Sequence, residues 1–121
     1  MRLVIDNSRF QVLSDALSLI GRAKDCQIQI LNTRVSRYQC SLIRRYQNSI
    51  EYFQIVDGLL SGNPSSNGTF LNGQRLGQIP INLHHGDKIT FAGIEIIYEL
   101  TSGIKFADKD ETLPQAVVES V

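Results

Sequence analysis

Five polar side chains in three separated segments are suited to gripping an oxyanion: Arg22, Ser36, Arg37, Ser66 and Asn67. A guanidinium can bond two oxygens of such an anion in a fork, which an ammonium does less well. Arg22 follows the apolar run Leu17-Ser18-Leu19-Ile20 at Gly21, so its side chain is expected at a loop rim. Ser36 offers a hydroxyl donor, and Arg37 a second cation or a backbone N–H. The Asn67 amide has both donor and acceptor groups, suited to holding a peptide backbone, and Ser66 stands beside it. Taken singly, each has a plainer use. A lone arginine is most often solvated, and a serine can close a turn by bonding the local backbone. Asn67-Gly68 and Asn72-Gly73 are turn dipeptides, since Asn and Gly tolerate positive φ. A hairpin is expected at Asn72-Gly73, and structural roles at Gly68 and Thr69.

Other chemistries find little support. The pair His84-His85 invites a metal reading, but adjacent strand residues point to opposite faces and no Cys–His cluster has ligand spacing. Asp87 reads as a turn residue. There is no Ser/His/Asp set and no P-loop, so no enzyme is expected, and neither is a metal or cofactor. The two cysteines, Cys26 and Cys40, lie in apolar alternating segments and are expected as buried, reduced thiols. Twelve basic residues balance twelve acidic ones, so nothing global favours nucleic acid, although Arg34, Arg37, Arg44 and Arg45 could form a small basic patch. No apolar run is long enough to span a bilayer, and Met1–Asp6 lacks the apolar stretch of a leader peptide. The expected location is the cytoplasm, without membrane insertion.

The elements that must position these residues are strands. Period-two alternation marks Phe10–Leu13, Leu17–Ile20, Cys26–Ile30, Cys40–Ile43, Tyr52–Val56, Thr69–Leu71, Lys88–Phe91 and Ile94–Leu100. Turn signals separate them: Gly21, Asp57-Gly58, Ser61-Gly62-Asn63-Pro64, Asn72-Gly73, His85-Gly86-Asp87 and Gly93. A chain of 121 residues built this way is expected to be all-β, one sandwich or barrel, with its connecting loops gathered at the ends. Composition changes after Leu100, so a domain over 1–100 is expected, followed by a tail over 101–121 that is flexible or a short helix.

Three segments, in order and spacing, resemble the forkhead-associated (FHA) domain family. They are Gly21-Arg22, then Val35-Ser36-Arg37-Tyr38-Gln39, which is similar to the family's Ser-Arg-x-His, and then Ser65-Ser66-Asn67-Gly68-Thr69-Phe70-Leu71-Asn72-Gly73. Gly86-Asp87-Lys88-Ile89 resembles the Gly-Asp turn before the family's closing strand. The resemblance covers roughly Leu13 to Leu100. It implies a β-sandwich of two mostly antiparallel sheets that binds phosphothreonine peptides. Arg22, Ser36 and Arg37 would contact the phosphate, and Ser66 and Asn67 the adjoining backbone. Gly21, Gln39, Gly68, Thr69, Asn72 and Gly73 would be structural. Arg34, two residues before Ser36, would favour an acidic residue three positions after the phosphothreonine. Gln39 stands where the family has His, a residue that supports the loop, so the departure bears on affinity more than on fold.

The expected function is therefore a phosphothreonine-binding adaptor downstream of a Ser/Thr kinase. The rival expectation, prompted by Gln39, is a phosphate-independent scaffold that binds a partner or oligomerises. Thr112 follows Asp108-Lys109-Asp110-Glu111, an acidic setting that some kinases accept. Once phosphorylated, it would let the tail bind its own domain or a neighbour's. The plainer reading is a capping box with Gln115.

Overall fold

The computed structural model describes residues 1–100, and the expectations for the tail over 101–121, Thr112 among them, lie outside the described residues. Eleven strands and no helix make up those residues. In chain order they are β1 (Arg2–Ile5), β2 (Arg9–Val12), β3 (Leu17–Gly21), β4 (Ile28–Gln29), β5 (Cys40–Gln47) and β6 (Ile50–Asp57). Then come β7 (Phe70–Leu71), β8 (Gln74–Arg75), β9 (Ile81–Asn82), β10 (Lys88–Phe91) and β11 (Ile94–Glu99). One sheet has the order β2-β1-β11-β10-β7-β8 and the other β4-β3-β5-β6-β9. Every pairing is antiparallel except β3 with β4.

The alternation that suggested strands also builds the core. β11 buries Ile94, Ile96 and Tyr98, and β1 buries Leu3 and Ile5. From the other sheet Ile20, Ile28, Leu42, Phe53 and Ile55 join the same cluster. Phe53 and Tyr98 meet edge to face, with ring centroids 6.3 Å apart. Each fully buried apolar side chain of this size contributes roughly 1.5–3 kcal/mol, so this shared layer is what holds the two sheets face to face. Cys26 and Cys40 are free and buried, as expected.

Several strands differ from the expectation. Arg2–Ile5, where the sequence offers no clear alternation, forms β1, paired with β2 on one side and β11 on the other. Cys26–Ile30 shortens to Ile28–Gln29. Its start is diverted into a turn, where the Cys26 N–H donates to Ala23 O, and Ile28 runs parallel to Ile20. The Asn72-Gly73 hairpin does form. Both residues have positive φ, 51° and 86°, and Leu71 pairs with Gln74 across a two-residue turn. Asn72 also ties that turn to β10, because the Lys88 N–H donates to its Oδ1 at 2.9 Å.

Register decides where the loops emerge. Ile20 pairs with Cys40, and Cys40 pairs with Asp57. The end of β3, the start of β5 and the end of β6 thus lie level, and the segments after Gly21, before Cys40 and after Asp57 leave the sandwich at one end.

Candidate functional site

The first loop is fastened to the second by main-chain bonds. The Arg22 N–H donates to Ser36 O at 3.0 Å, the Ala23 N–H to Arg37 O at 3.1 Å, and the Gln39 N–H to Ile20 O at 2.8 Å. Gly21 is obligatory for this approach, because a Cβ there would sit 2.2 Å from Arg37 O. Its role is close passage of two backbones and not positive φ. The Arg22 Nε–H donates to Val35 O at 3.1 Å, which fixes the plane of the guanidinium and leaves both Nη groups for a ligand.

Gln39 fastens the second loop to the third. Its side-chain Oε1 accepts from the Ser36 N–H at 2.9 Å, and its Nε2 donates to Gly68 O at 3.0 Å and to Thr69 Oγ1 at 2.9 Å. The side chain is buried, and its carboxamide supplies the donor-and-acceptor bridging for which the family's His is expected. The Ser66 N–H donates to Ser36 Oγ at 2.8 Å, so the Ser36 hydroxyl keeps its own hydrogen for a further acceptor. The Asn67 Nδ2 donates to Arg34 O at 3.4 Å.

Beneath this lies a node that sequence reasoning missed. The Asp57 carboxylate, 3% exposed, accepts from the Ser65 N–H at 3.1 Å, the Ser65 hydroxyl at 2.6 Å and the Thr69 hydroxyl at 2.7 Å. The Gly68 N–H in turn donates to Ser65 Oγ at 3.0 Å. A buried carboxylate supplied with several donors anchors the backbone around it. In the sequence, Asp57-Gly58 offers only a turn dipeptide, and nothing local connects it to Ser65 or Thr69.

Arg22, Arg34, Ser36, Arg37, Ser66 and Asn67 all line one open cavity of about 400 Å³. Its wall includes the apolar surfaces of Val35, Leu59 and Pro64. Arg34 reaches sideways as well, with its Nη2 donating to Ala92 O in the β10–β11 turn at 3.1 Å. Gly68 and Thr69 are buried under the rim, while Asn72 and Gly73 stand apart at their hairpin. The remaining members of the small basic patch are engaged elsewhere. Arg44 bonds Ser14 O and lies 3.7 Å from Glu51, and Arg45 bonds Gln54. Among the described residues no cluster of His, Cys, Asp and Glu could hold a metal ion, and no helix is long and apolar enough to cross a membrane.

The cavity can receive a tetrahedral oxyanion. Its lining presents the guanidinium groups of Arg22, Arg34 and Arg37 and the Ser36 hydroxyl, with the Asn67 carboxamide alongside to bond an adjoining backbone. A two-sheet sandwich that gathers such loops at one end is the FHA architecture. The FHA domain model matches residues 18–92, and the chain belongs to that family.

Particular relatives follow the same lines. Protein sll1895 of Synechocystis sp. is 32% identical over 103 residues, which is 81% of this chain and 14% of the relative, so the chain spans only a small part of that protein's length. The crystal structure of the Slr1951 protein from Synechocystis sp. superimposes with a TM-score of 0.73 at 27% identity, covering 84% of this chain and 98% of that one. Mycobacterium tuberculosis EmbR, solved in complex with a low affinity phosphopeptide, matches with a TM-score of 0.68 at 25% identity, covering 84% of this chain and 24% of that one.

Proposed function

We propose that this chain is a phosphothreonine-peptide-binding module that serves as an adaptor and carries out no catalysis. The observation that carries the reading is the convergence of Arg22, Ser36, Arg37, Ser66 and Asn67 on a single opening. The Arg22 Nη groups, the Ser36 hydroxyl and Arg37 take the phosphate oxygens, while Ser66 and Asn67 hold the peptide backbone beside it. The threonine methyl packs on the apolar part of the wall, which favours phosphothreonine over phosphoserine. Arg34 selects an acidic residue three positions further on with the donors its bond to Ala92 leaves free. Such a module works after a Ser/Thr kinase has marked its partner and brings that partner into a complex, in the cytoplasm. The capture of a phosphopeptide by EmbR supports the reading by kinship.

A phosphate-independent scaffold is the rival reading that Gln39 raises, and the three bonds made by that side chain speak against it. The test is a titration of matched phosphorylated and unphosphorylated threonine peptides against the wild type and Arg22→Ala. The phosphorylated peptide alone should bind. A charge-assisted bond is worth about 1.5–3 kcal/mol, so Arg22→Ala should weaken binding roughly tenfold or more. Equal binding of both peptides, or of neither, would favour the scaffold.

A further inference from the structure

A second concavity, of about 470 Å³, adjoins the phosphopeptide opening and is lined by Arg22, Ala23, Lys24, Asp25, Arg37 and Tyr38. Arg22, Arg37 and Tyr38 line both depressions, so the two abut. Half of the second lining is cationic in a chain whose formal net charge is zero. Among the described residues Lys24 and Arg37 make no hydrogen bond or ion pair through their charged groups, and Arg22 commits only its Nε. The sole carboxylate, Asp25, is already engaged by the Tyr38 hydroxyl, which lies 2.9 and 2.8 Å from its two oxygens. Like charges gathered in one depression repel each other, and a multiply charged anion relieves that repulsion.

We propose that this depression is a second anion subsite, which takes another phosphorylated side chain of the same peptide. The inference rests on the phosphothreonine reading of the first opening. Arg22 and Arg37 are shared with the first phosphate and Lys24 adds a further cation, and a second phosphate dianion suits that shared wall better than a carboxylate does, because it carries nearly twice the charge and three acceptor oxygens. Lys24 is the residue that separates the two subsites, since it lines the second and not the first. The shared wall requires the two phosphates to be close in sequence. An extended peptide rises about 3.3 Å per residue, so a separation of up to about four residues spans ~13 Å.

The experiment measures binding of synthetic peptides by fluorescence anisotropy. One peptide is unphosphorylated and one carries a single phosphothreonine. A set adds a second phosphorylated residue at each position up to about four residues to either side, and a parallel set carries Glu there. At one or two neighbouring positions the second phosphate should raise affinity about fivefold or more, and Glu less. Lys24→Ala should abolish that gain while leaving the singly phosphorylated peptide within about twofold of wild type. Lys88→Ala, a charge removal that touches neither depression, should leave the gain intact. If the singly phosphorylated peptide binds and no second position adds affinity, this inference falls and the phosphothreonine reading stands. A gain that survives Lys24→Ala, or that Lys88→Ala removes equally, overturns it as well, because the effect is then general attraction. If neither singly nor doubly phosphorylated peptides bind better than the unphosphorylated one, both readings fall together.

Discussion

Replacing Gln39 by Met preserves length and approximate volume while deleting every hydrogen bond the side chain makes. Three are lost: from the Ser36 N–H at 2.9 Å, to Gly68 O at 3.0 Å and to Thr69 Oγ1 at 2.9 Å. Thr69 retains Asp57 as a partner, so the two backbone groups are what become orphaned. With Gln39 only 1% exposed, water has little access to replace what is removed. At about 1–3 kcal/mol per stranded group, and with the Ser36 N–H only half-buried, the cost is about 2–4 kcal/mol. A domain of this size loses roughly 4–8 °C of melting temperature per kcal/mol, so the transition should fall by on the order of 10–30 °C. Calorimetry reads that shift, and anisotropy with a singly phosphorylated peptide reads the second consequence. The untied Ser36 segment should bind about tenfold more weakly at a temperature where the fold persists. Gln39→His, the family's usual residue, should lie nearer wild type in both measurements. A Gln39→Met protein that melts within about 2 °C of wild type and binds the peptide equally would refute the account of how the loops are coupled.

Gly21→Ala brings a methyl group to 2.2 Å from the Arg37 carbonyl, a backbone atom that cannot swing aside. It should cost about 1–3 kcal/mol in urea denaturation and weaken phosphopeptide binding, whereas Gly77→Ala, with open space around the added carbon, should do neither. Alkaline pH should destabilise the fold. Burial pushes the Cys40 thiol and the Tyr98 phenol far above their ordinary ranges, so above about pH 9 the unfolded chain ionises these groups and the folded chain keeps their protons. The native state then binds more protons, and stability falls as pH rises, by at most about 1.4 kcal/mol per pH unit for each group. Below that range the two groups add no pH dependence. The urea midpoint should be level near neutrality and drop above about pH 9, and Cys40→Val should soften the first part of the drop. A midpoint unchanged through about pH 10 would contradict this.

Much of the fold was legible because its information is local. Alternation marks β3, β5, β6, β10 and β11, and Asn72-Gly73 announces its hairpin. β1 was missed because its four residues carry too little pattern, and its identity comes from neighbours at the other end of the chain. The short β4 keeps its place through parallel pairing with β3, a relation that periodicity does not encode. The site residues were legible as types and spacings, but what joins them was not. Gln39 reads as a departure from a pattern until its amide is seen between Ser36 and Gly68. Asp57 reads as a turn residue until three donors from the third loop are found on it. Both connections span long stretches of chain, and a window of sequence holds only one partner at a time.

The pairing of Arg2 with Glu99 fixes how this body can be mounted. Strands β1 and β11 are neighbours, and β11 starts beside the Ala92 turn that Arg34 touches, then runs about 17 Å away from it over its length. The Arg2 end of β1 and the Glu99 end of β11 therefore sit together at the pole remote from the loops that line the cavity. An attachment made at these two strand ends stands clear of the cavity.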